Sequence, residues 1–429
     1  DKSIADIDKA GVPLLGEAIN RMREGNIHIE PGYDGEYGKV GIFSQAEKQS
    51  LIGEKSLFSD FKTSVAEPEP KYKKRKKTGP QKKNEEQIAP VPRMRNHDVL
   101  DGLNPEQQQV LESENRAIVI QAGPGTGKTR TLTAQIAHLI SAKGVDPASV
   151  LALTFTNKAA EELEKRIEKY LPASSEPVLS ATFHAFCLKL LKEYKEFNAI
   201  LLDDEQRLAL VREAMGKRAG KVARFDHLIS LCKQRLLLAE DDLASVLKEE
   251  KPPENFKKVY EAYLSLCRQT NMADFEDLIL LTLEMFRQDK SLLKNIQNRY
   301  QYIFVDEVQD LNFAQYELVR LLSKEGYITA IGDPDQSIYG FRGSDNRYFK
   351  QFELDFPDCH KFTLTRNYRS EQSILDASFQ VISRSLETDE TLRVFSDIES
   401  YKKIMIRETA SEEAEAVAIG KMIEALTGG

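Results

Sequence analysis

Cysteine is scarce and scattered. The 429 residues hold four, Cys187, Cys232, Cys267 and Cys359. With no C-x-x-C pair, they argue against a disulfide framework or a thiolate metal site and for free thiols in a reducing compartment. Long apolar runs are missing too: none approaches the roughly 20 residues that span a bilayer, and no signal-peptide pattern is visible. The expectation is a soluble, cytoplasmic chain without a membrane partner. Positive charge is not in excess. A formal net charge of -8 argues against a uniformly basic nucleic-acid binder but leaves room for a local basic groove. Apolar residues, at 41% of the chain, suffice for the cores of about two to four domains. The sequence opens on Asp1 rather than Met and stops at "ALTGG" straight after a helical pattern, so it reads as a portion of a longer protein.

Residues 1–60 form a first, small α+β unit. Leu14, Leu15, Ala18, Ile19 and Met22 recur at helical spacing, and "NIHIEPGYDGEYGKVGIF" suggests short strands joined by glycine turns. Residues 61–98 are rich in Pro, Lys and Glu and read as a linker. Six of the seven residues from Lys71 to Lys77 are basic; they could hold nucleic-acid phosphates or serve only as a solvated tether. From residue 99 the pattern is α/β. "AIVIQ", "VLALTFT", "VLSATF", "YIFVDE" and "YITAIGD" read as buried parallel strands. The domain has a first part over 99–190 and a second over 299–360, with an all-helical insertion over 191–298. "KFTLTRN" is expected to open a further unit over 361–429, one with little sheet to join that packs on the first domain or is mobile.

"QAGPGTGKTR" follows the first of these strands and precedes a helical pattern, the context a phosphate loop requires. The loop comprises Ala122, Gly123, Pro124, Gly125, Thr126, Gly127, Lys128, Thr129 and Arg130. Its glycines let backbone N–H groups turn toward phosphate oxygens at a helix N-terminus. Lys128 would reach the β- and γ-phosphates of ATP, and the Thr129 hydroxyl would ligate Mg²⁺. "YIFVDE" delivers Asp306, a candidate metal ligand, and Glu307, a candidate base for an attacking water. An Asp-Glu pair can also be a solvated strand end. Gln336, in "IGDPDQSIYGFRGSD", could sense a γ-phosphate. Tyr339, Phe341 and Arg342 in the same loop offer two aromatic faces and a cation for single-stranded bases and phosphates, or could be core. In "LTRNYRS", Tyr368 could stack on adenine, and Arg369 could supply transition-state charge or form an ordinary surface ion pair.

This run of motifs resembles the superfamily 1 DNA helicases of the UvrD/Rep/PcrA type over about residues 100–425. That family often has Ala where other phosphate loops begin with Gly, as Ala122 does here. The resemblance implies two RecA-like domains, the second only begun, with ATP and Mg²⁺ driving 3′-to-5′ translocation on single-stranded DNA or a partial duplex in repair or replication. It implies that Gln107 in "LNPEQ" reads the adenine. It further implies that Phe155, Thr156 and Lys158 in "LTFTNKAAEEL" touch DNA, as do Thr182 and His184 in "TFHAFC". "ADFEDLI" is similar to the segment closing the helical insertion. Val308 replaces an aromatic within "DEVQD", and Phe341 stands where many members have Trp. A monomer is expected.

A shorter stretch, "AINRMREGNIHIEPGYDGEYGKVGIF", resembles the tail of endonuclease Q-type proteins, which carry a PHP metallo-phosphoesterase domain, but it brings none of that domain's metal ligands. His28, alone in a strand-like run, reads as structural. Two other functions stay open: a DNA-stimulated ATPase that translocates without unwinding, and a non-catalytic, nucleotide-gated DNA-binding or assembly module. A P-loop kinase is disfavoured, since Glu307 offers a hydrolytic base and no acceptor site is apparent.

Overall fold

The computed structural model describes residues 28–30, 39–41, 100–171, 177–216, 221–337, 347–385, 392–398 and 403–427. The chain divides into two units, Asp1–Arg93 with Thr156–Lys158, and Met94–Phe155 with Ala159–Gly429. In the first, strands β1 (His28–Glu30) and β2 (Lys39–Gly41) pair antiparallel with Ile29 opposite Val40, matching the ribbon expected there. The helix expected around Leu14–Met22 and the linker over 61–98 lie outside the described residues.

The second unit begins with α1 (Pro105–Glu112), β3 (Ala117–Ala122), α2 (Lys128–Ser141), β4 (Val150–Thr154), α3 (Asn157–Glu168), β5 (Leu179–Thr182) and α4 (Phe183–Tyr194). A helical stretch follows: α5 (Asp204–Met215), α6 (Val222–Gln234), α7 (Phe256–Thr270), α8 (Phe275–Gln288) and α9 (Lys290–Arg299). Two-residue strands β6 (Ile200–Leu201) and β7 (Met272–Ala273) pair parallel at its base. Then come β8 (Tyr302–Val305), α10 (Phe313–Leu322), β9 (Tyr327–Gly332), α11 (Arg347–Asp355) and β10 (Cys359–Leu364). The last described elements are β11 (Arg366–Asn367), α12 (Gln372–Ser385), β12 (Phe395–Ser396) and α13 (Glu412–Thr427).

Six strands make one parallel sheet in the order β10-β3-β9-β8-β4-β5. Their near-continuous apolar runs are what a sheet covered on both faces demands; every residue of β4 is buried. Val119, Leu153, Val305 and Ala330 face one apolar cluster, and Ile118, Ile120, Phe304 and Ile331 face the other. The helical insertion has its own core around Phe225, Phe256, Tyr260 and Tyr263.

Local sequence sets the helix starts. Asn104, Asp203, Asp274 and Asn312 each accept a hydrogen bond from the backbone three residues on, and the residue there (Gln107, Gln206, Asp277, Gln315) bonds back. Each such reciprocal cap is worth about 1 kcal/mol.

The strand near residue 361, in the segment expected to pack on the first domain or be mobile, joins the six-stranded sheet. β10 lies parallel to β3 with Leu364 opposite Ala122. Phe362 and Leu364 pack with the cluster around Ile120, and Glu106 of α1 accepts from the backbone N–H of Thr365 at 2.8 Å. The apolar residues of "KFTLTRN" therefore find their burial beside β3.

Candidate active site

β3 ends at Ala122, which is fully buried in the sheet core. Its backbone does not take a left-handed φ, so nothing at this position requires glycine. The left-handed turns come later, at Gly125 (φ 68°) and Gly127 (φ 89°), and Gly127 starts α2. Between them, the Thr126 hydroxyl donates to the Gly123 carbonyl at 2.8 Å. The buried Gln107 donates from Nε2 to the Thr126 carbonyl at 3.2 Å. The loop is held in shape by its own hydroxyl and by α1. Arg130 donates to the Asp101 carbonyl at 3.3 Å.

Lys128, nearly buried, points its ammonium at Glu307, with Nζ 3.5 Å from Oε2. Glu307 has φ 51°, a left-handed backbone that costs a non-glycine residue about 1–2 kcal/mol; such strain persists only where surrounding contacts hold it. Here Gln309 Nε2 donates to Glu307 Oε2 at 2.9 Å, and Gln309 Oε1 accepts from the Asp333 N–H at 3.0 Å. Gly332 is needed beside that side chain, because a Cβ there would collide with Gln309 Oε1. Gln336 donates to Asp333 at 2.6 Å.

Asp306 is 7% exposed. Burial, then the charge of Glu307, pushes its carboxyl up to about 7 despite Lys128. Asp310 is pushed up to about 6 by burial and Glu307, again opposed by Lys128, and its Oδ1 is buried without a hydrogen-bond partner. One lysine among three carboxylates leaves the pocket short of positive charge, as a cation-binding site would be. Among the described residues no three acidic or imidazole side chains cluster as a cage. The donor set instead fits Mg²⁺ held by the Thr129 hydroxyl, Asp306 and substrate phosphates, the usual arrangement for that ion.

The segment after β10 closes over the loop. The Asn367 side chain donates to the Pro124 carbonyl, and its Oδ1 accepts from the N–H groups of Arg369 and Ser370 at 2.7 Å each. The Tyr368 N–H donates to the Gly125 carbonyl at 2.9 Å, and Asn104 donates to the Tyr368 hydroxyl at 2.8 Å. A Cβ at Gly125 would lie 2.6 Å from Asn367 Nδ2 and 2.8 Å from Arg369 Cβ, and one at Gly123 would meet Val394. Tyr368 is half exposed. Gln107, the phosphate loop, Tyr368 and Arg369 are thus brought together, as are Lys128, Asp306 and Glu307.

A model of the UvrD/REP helicase N-terminal domain matches residues 103–357. The chain belongs to this family. Two proteins it is similar to are the ATP-dependent DNA helicases PcrA of Staphylococcus aureus and Staphylococcus epidermidis. Each is 34% identical over 307 residues, which cover 67% of this chain and 41% of the relative. The chain therefore spans about two fifths of the length of the curated relatives it matches.

The candidate DNA residues of this UvrD/REP-type domain are less uniform. Phe155, with Thr156 and Lys158 next in the chain, follows the end of β4, and Lys158 is exposed. Thr182 ends β5, but its hydroxyl accepts from the Ala185 N–H at 3.2 Å and caps α4. The His184 ring meets Phe275 of α8 edge-on, centroids 5.9 Å apart. Tyr339, Phe341 and Arg342 lie outside the described residues.

Sequence reading missed Gln309, Asp310, Asp333 and Asn367. Each lay within a quoted motif, and for the first three the signal was there: a polar residue two or three positions from a catalytic candidate at a strand end. "ADFEDLI" also proves to be a structural knot. Lys233, fully buried, reaches Asp274 Oδ2 at 2.6 Å and Asp277 Oδ1 at 2.7 Å, and the Tyr263 hydroxyl donates to Asp274 at 2.8 Å. Arg207 pairs with Glu276 at 3.2 Å and Asp226 at 2.8 Å. Burial alone would raise the Asp274 carboxyl, but Lys233 and then Arg207 hold it below the ordinary range.

Proposed function

We propose that the chain is the ATP-hydrolysing front portion of a DNA helicase that moves 3′ to 5′ along single-stranded DNA, in repair or replication, as a cytoplasmic monomer. The observation that carries this reading is the joining of Lys128, after β3, with Asp306 and Glu307, after β8, across the tip of the intervening β9 and beneath a loop roofed by Tyr368 and Arg369. Family membership and the PcrA relatives support the same reading.

In this scheme Gln107 and Tyr368 flank the adenine, and the loop N–H groups cradle the phosphates. Lys128 leaves Glu307 for the β- and γ-phosphates when ATP enters, freeing the carboxylate. Glu307 then takes the proton of the water whose oxygen bonds to the γ-phosphorus, while the bond to the β–γ bridging oxygen breaks and ADP departs. Arg369 and Gln336 meet the charge that develops on the γ-phosphoryl oxygens. Mg²⁺, at Thr129 and Asp306, neutralises phosphate charge when bound. The ends of β4 and β5 and the loop after β9 are proposed to meet DNA.

The test is ATP turnover by the 429-residue chain with and without single-stranded DNA, beside Lys128→Ala. Slow turnover that the substitution abolishes while the fold survives is expected, without strand separation by a piece that spans two fifths of its relatives. Turnover unchanged by Lys128→Ala would sink the proposal.

A further inference from the structure

β3, β8 and β9 end at the candidate active site. Their starting ends, with the second half of α2, line a separate, half-open cavity of about 410 Å³, within the range of about 300–1,000 Å³ found for small-molecule sites. The cavity is not apolar. Gln135 of α2 lines it, is only 5% exposed, and has a buried Oε1 with no hydrogen-bond partner. Thr329, equally buried, lines it from β9. A helix–sheet interface normally takes aliphatic residues at such positions, as Leu132 and Leu139 do one turn to either side. A buried carbonyl oxygen left without a donor costs about 1–3 kcal/mol, and a partner from outside the chain would remove that cost.

The rest of the lining says what kind of partner. Lys143 stands exposed at the cavity. Arg116 lines it too and uses one terminal nitrogen on the carbonyls of Lys324 and Gly326. Glu114 is the one acid against these two cations. Tyr302 and Tyr327 stack nearly parallel along the wall, centroids 5.0 Å apart. A carboxamide that reads a planar edge, an aromatic wall and two cations together match a flat heterocycle carrying a negative group.

We propose that this cavity is a second ligand site that takes a mononucleotide-sized anion. A ring N–H or amino donor meets Gln135 Oε1, the ring lies against the tyrosine pair, and the phosphate or carboxylate is held by Lys143 and Arg116. The site stands on these contacts alone and does not rest on the helicase reading.

AMP serves as the probe, titrated calorimetrically into the 429-residue chain and into three variants. Gln135→Leu removes the carboxamide while keeping its bulk, and Lys143→Glu reverses an exposed charge with little risk to the fold. Each is expected to weaken AMP binding at least about tenfold, whereas Lys128→Ala, at the other end of the sheet, leaves it unchanged. Photolabelling with 8-azido-AMP, mapped by mass spectrometry, is expected to mark the peptides holding Tyr302 or Tyr327. Affinity that follows Lys128 and ignores Lys143, or label found only at residues 122–130, would overturn the site. Inorganic phosphate binding as tightly as AMP would overturn the planar part of the assignment. No saturable binding, together with a higher Tm for Gln135→Leu, would mean that the cavity holds only water.

Discussion

Asn367 and Pro124 are joined by a hydrogen bond across 243 residues of chain, from side-chain amide to phosphate-loop carbonyl. The same carboxamide caps the N–H groups of Arg369 and Ser370, so a single side chain sets the distance between the loop and the arginine proposed to act on the γ-phosphate.

Asn367→Ala removes both links. The expected result is ATP affinity lower by about tenfold, near 1.4 kcal/mol, with the described sheet intact because β10 stays paired with β3. Equilibrium nucleotide binding checks this, with Asn367→Asp as companion. The aspartate keeps the acceptor for the two N–H groups but loses the donor to Pro124, and is expected to fall between wild type and alanine.

Glu307→Gln keeps the shape of the side chain and removes its basicity. Nucleotide binding is expected to persist while single-turnover hydrolysis slows by at least about a hundredfold, the usual scale of general-base help. Loss of binding with an unchanged cleavage rate would move the base elsewhere.

Asp306 gives a pH signature. Its carboxyl is raised to about 7, so in the free protein the folded state holds a proton that the unfolded state has lost once the pH passes the ordinary carboxylate range. Where the folded state binds the extra proton, stability falls with rising pH. Asp306→Asn is therefore expected to raise Tm, and its advantage over wild type is expected to grow between about pH 4 and pH 7 and then level off. Adding Mg²⁺ with an ATP analogue should stabilise wild type and leave the variant behind. Thermal melts across that range check both points.

Lys233→Met tests the knot in the helical insertion. It leaves Asp274 and Asp277 buried without their cation, and loss of one partner from such a cluster costs about 3–5 kcal/mol. Urea denaturation reads the loss. Removing all three charges together, with Asp274→Asn and Asp277→Asn added, is expected to recover part of it, because the two uncompensated carboxylates are the source of the penalty.

The five strands quoted from the sequence are all in the sheet because a parallel strand buried on both faces leaves an unbroken apolar run. The tight turn after β3 was equally legible, since Gly125 and Gly127 stand where the backbone takes a left-handed φ. The edge strand was not. β10 is exposed along much of its length, so "KFTLTRN" carries no mark of which sheet it joins. Asn367 was illegible for a related reason: its partner lies in the phosphate loop, and no local pattern encodes a contact over such a separation. Thr182 carries two signals: its motif suggested DNA, and a threonine just before a helix marks the cap it forms.

The strand order also works as a ruler. Neighbouring strands lie about 4.8 Å apart, so β3 and β4, three steps from each other, are separated by about 14 Å. The phosphates are proposed to rest at the end of β3, and the first residues proposed to touch DNA follow the end of β4. β9 and β8 stand between them, carrying Asp333 on one and Asp306 with Glu307 on the other. In the proposed reading, the path from the γ-phosphate to the DNA side runs past these two intervening strand tips, and Gln309, bonded to both Glu307 and the Asp333 backbone, is the rung that joins them.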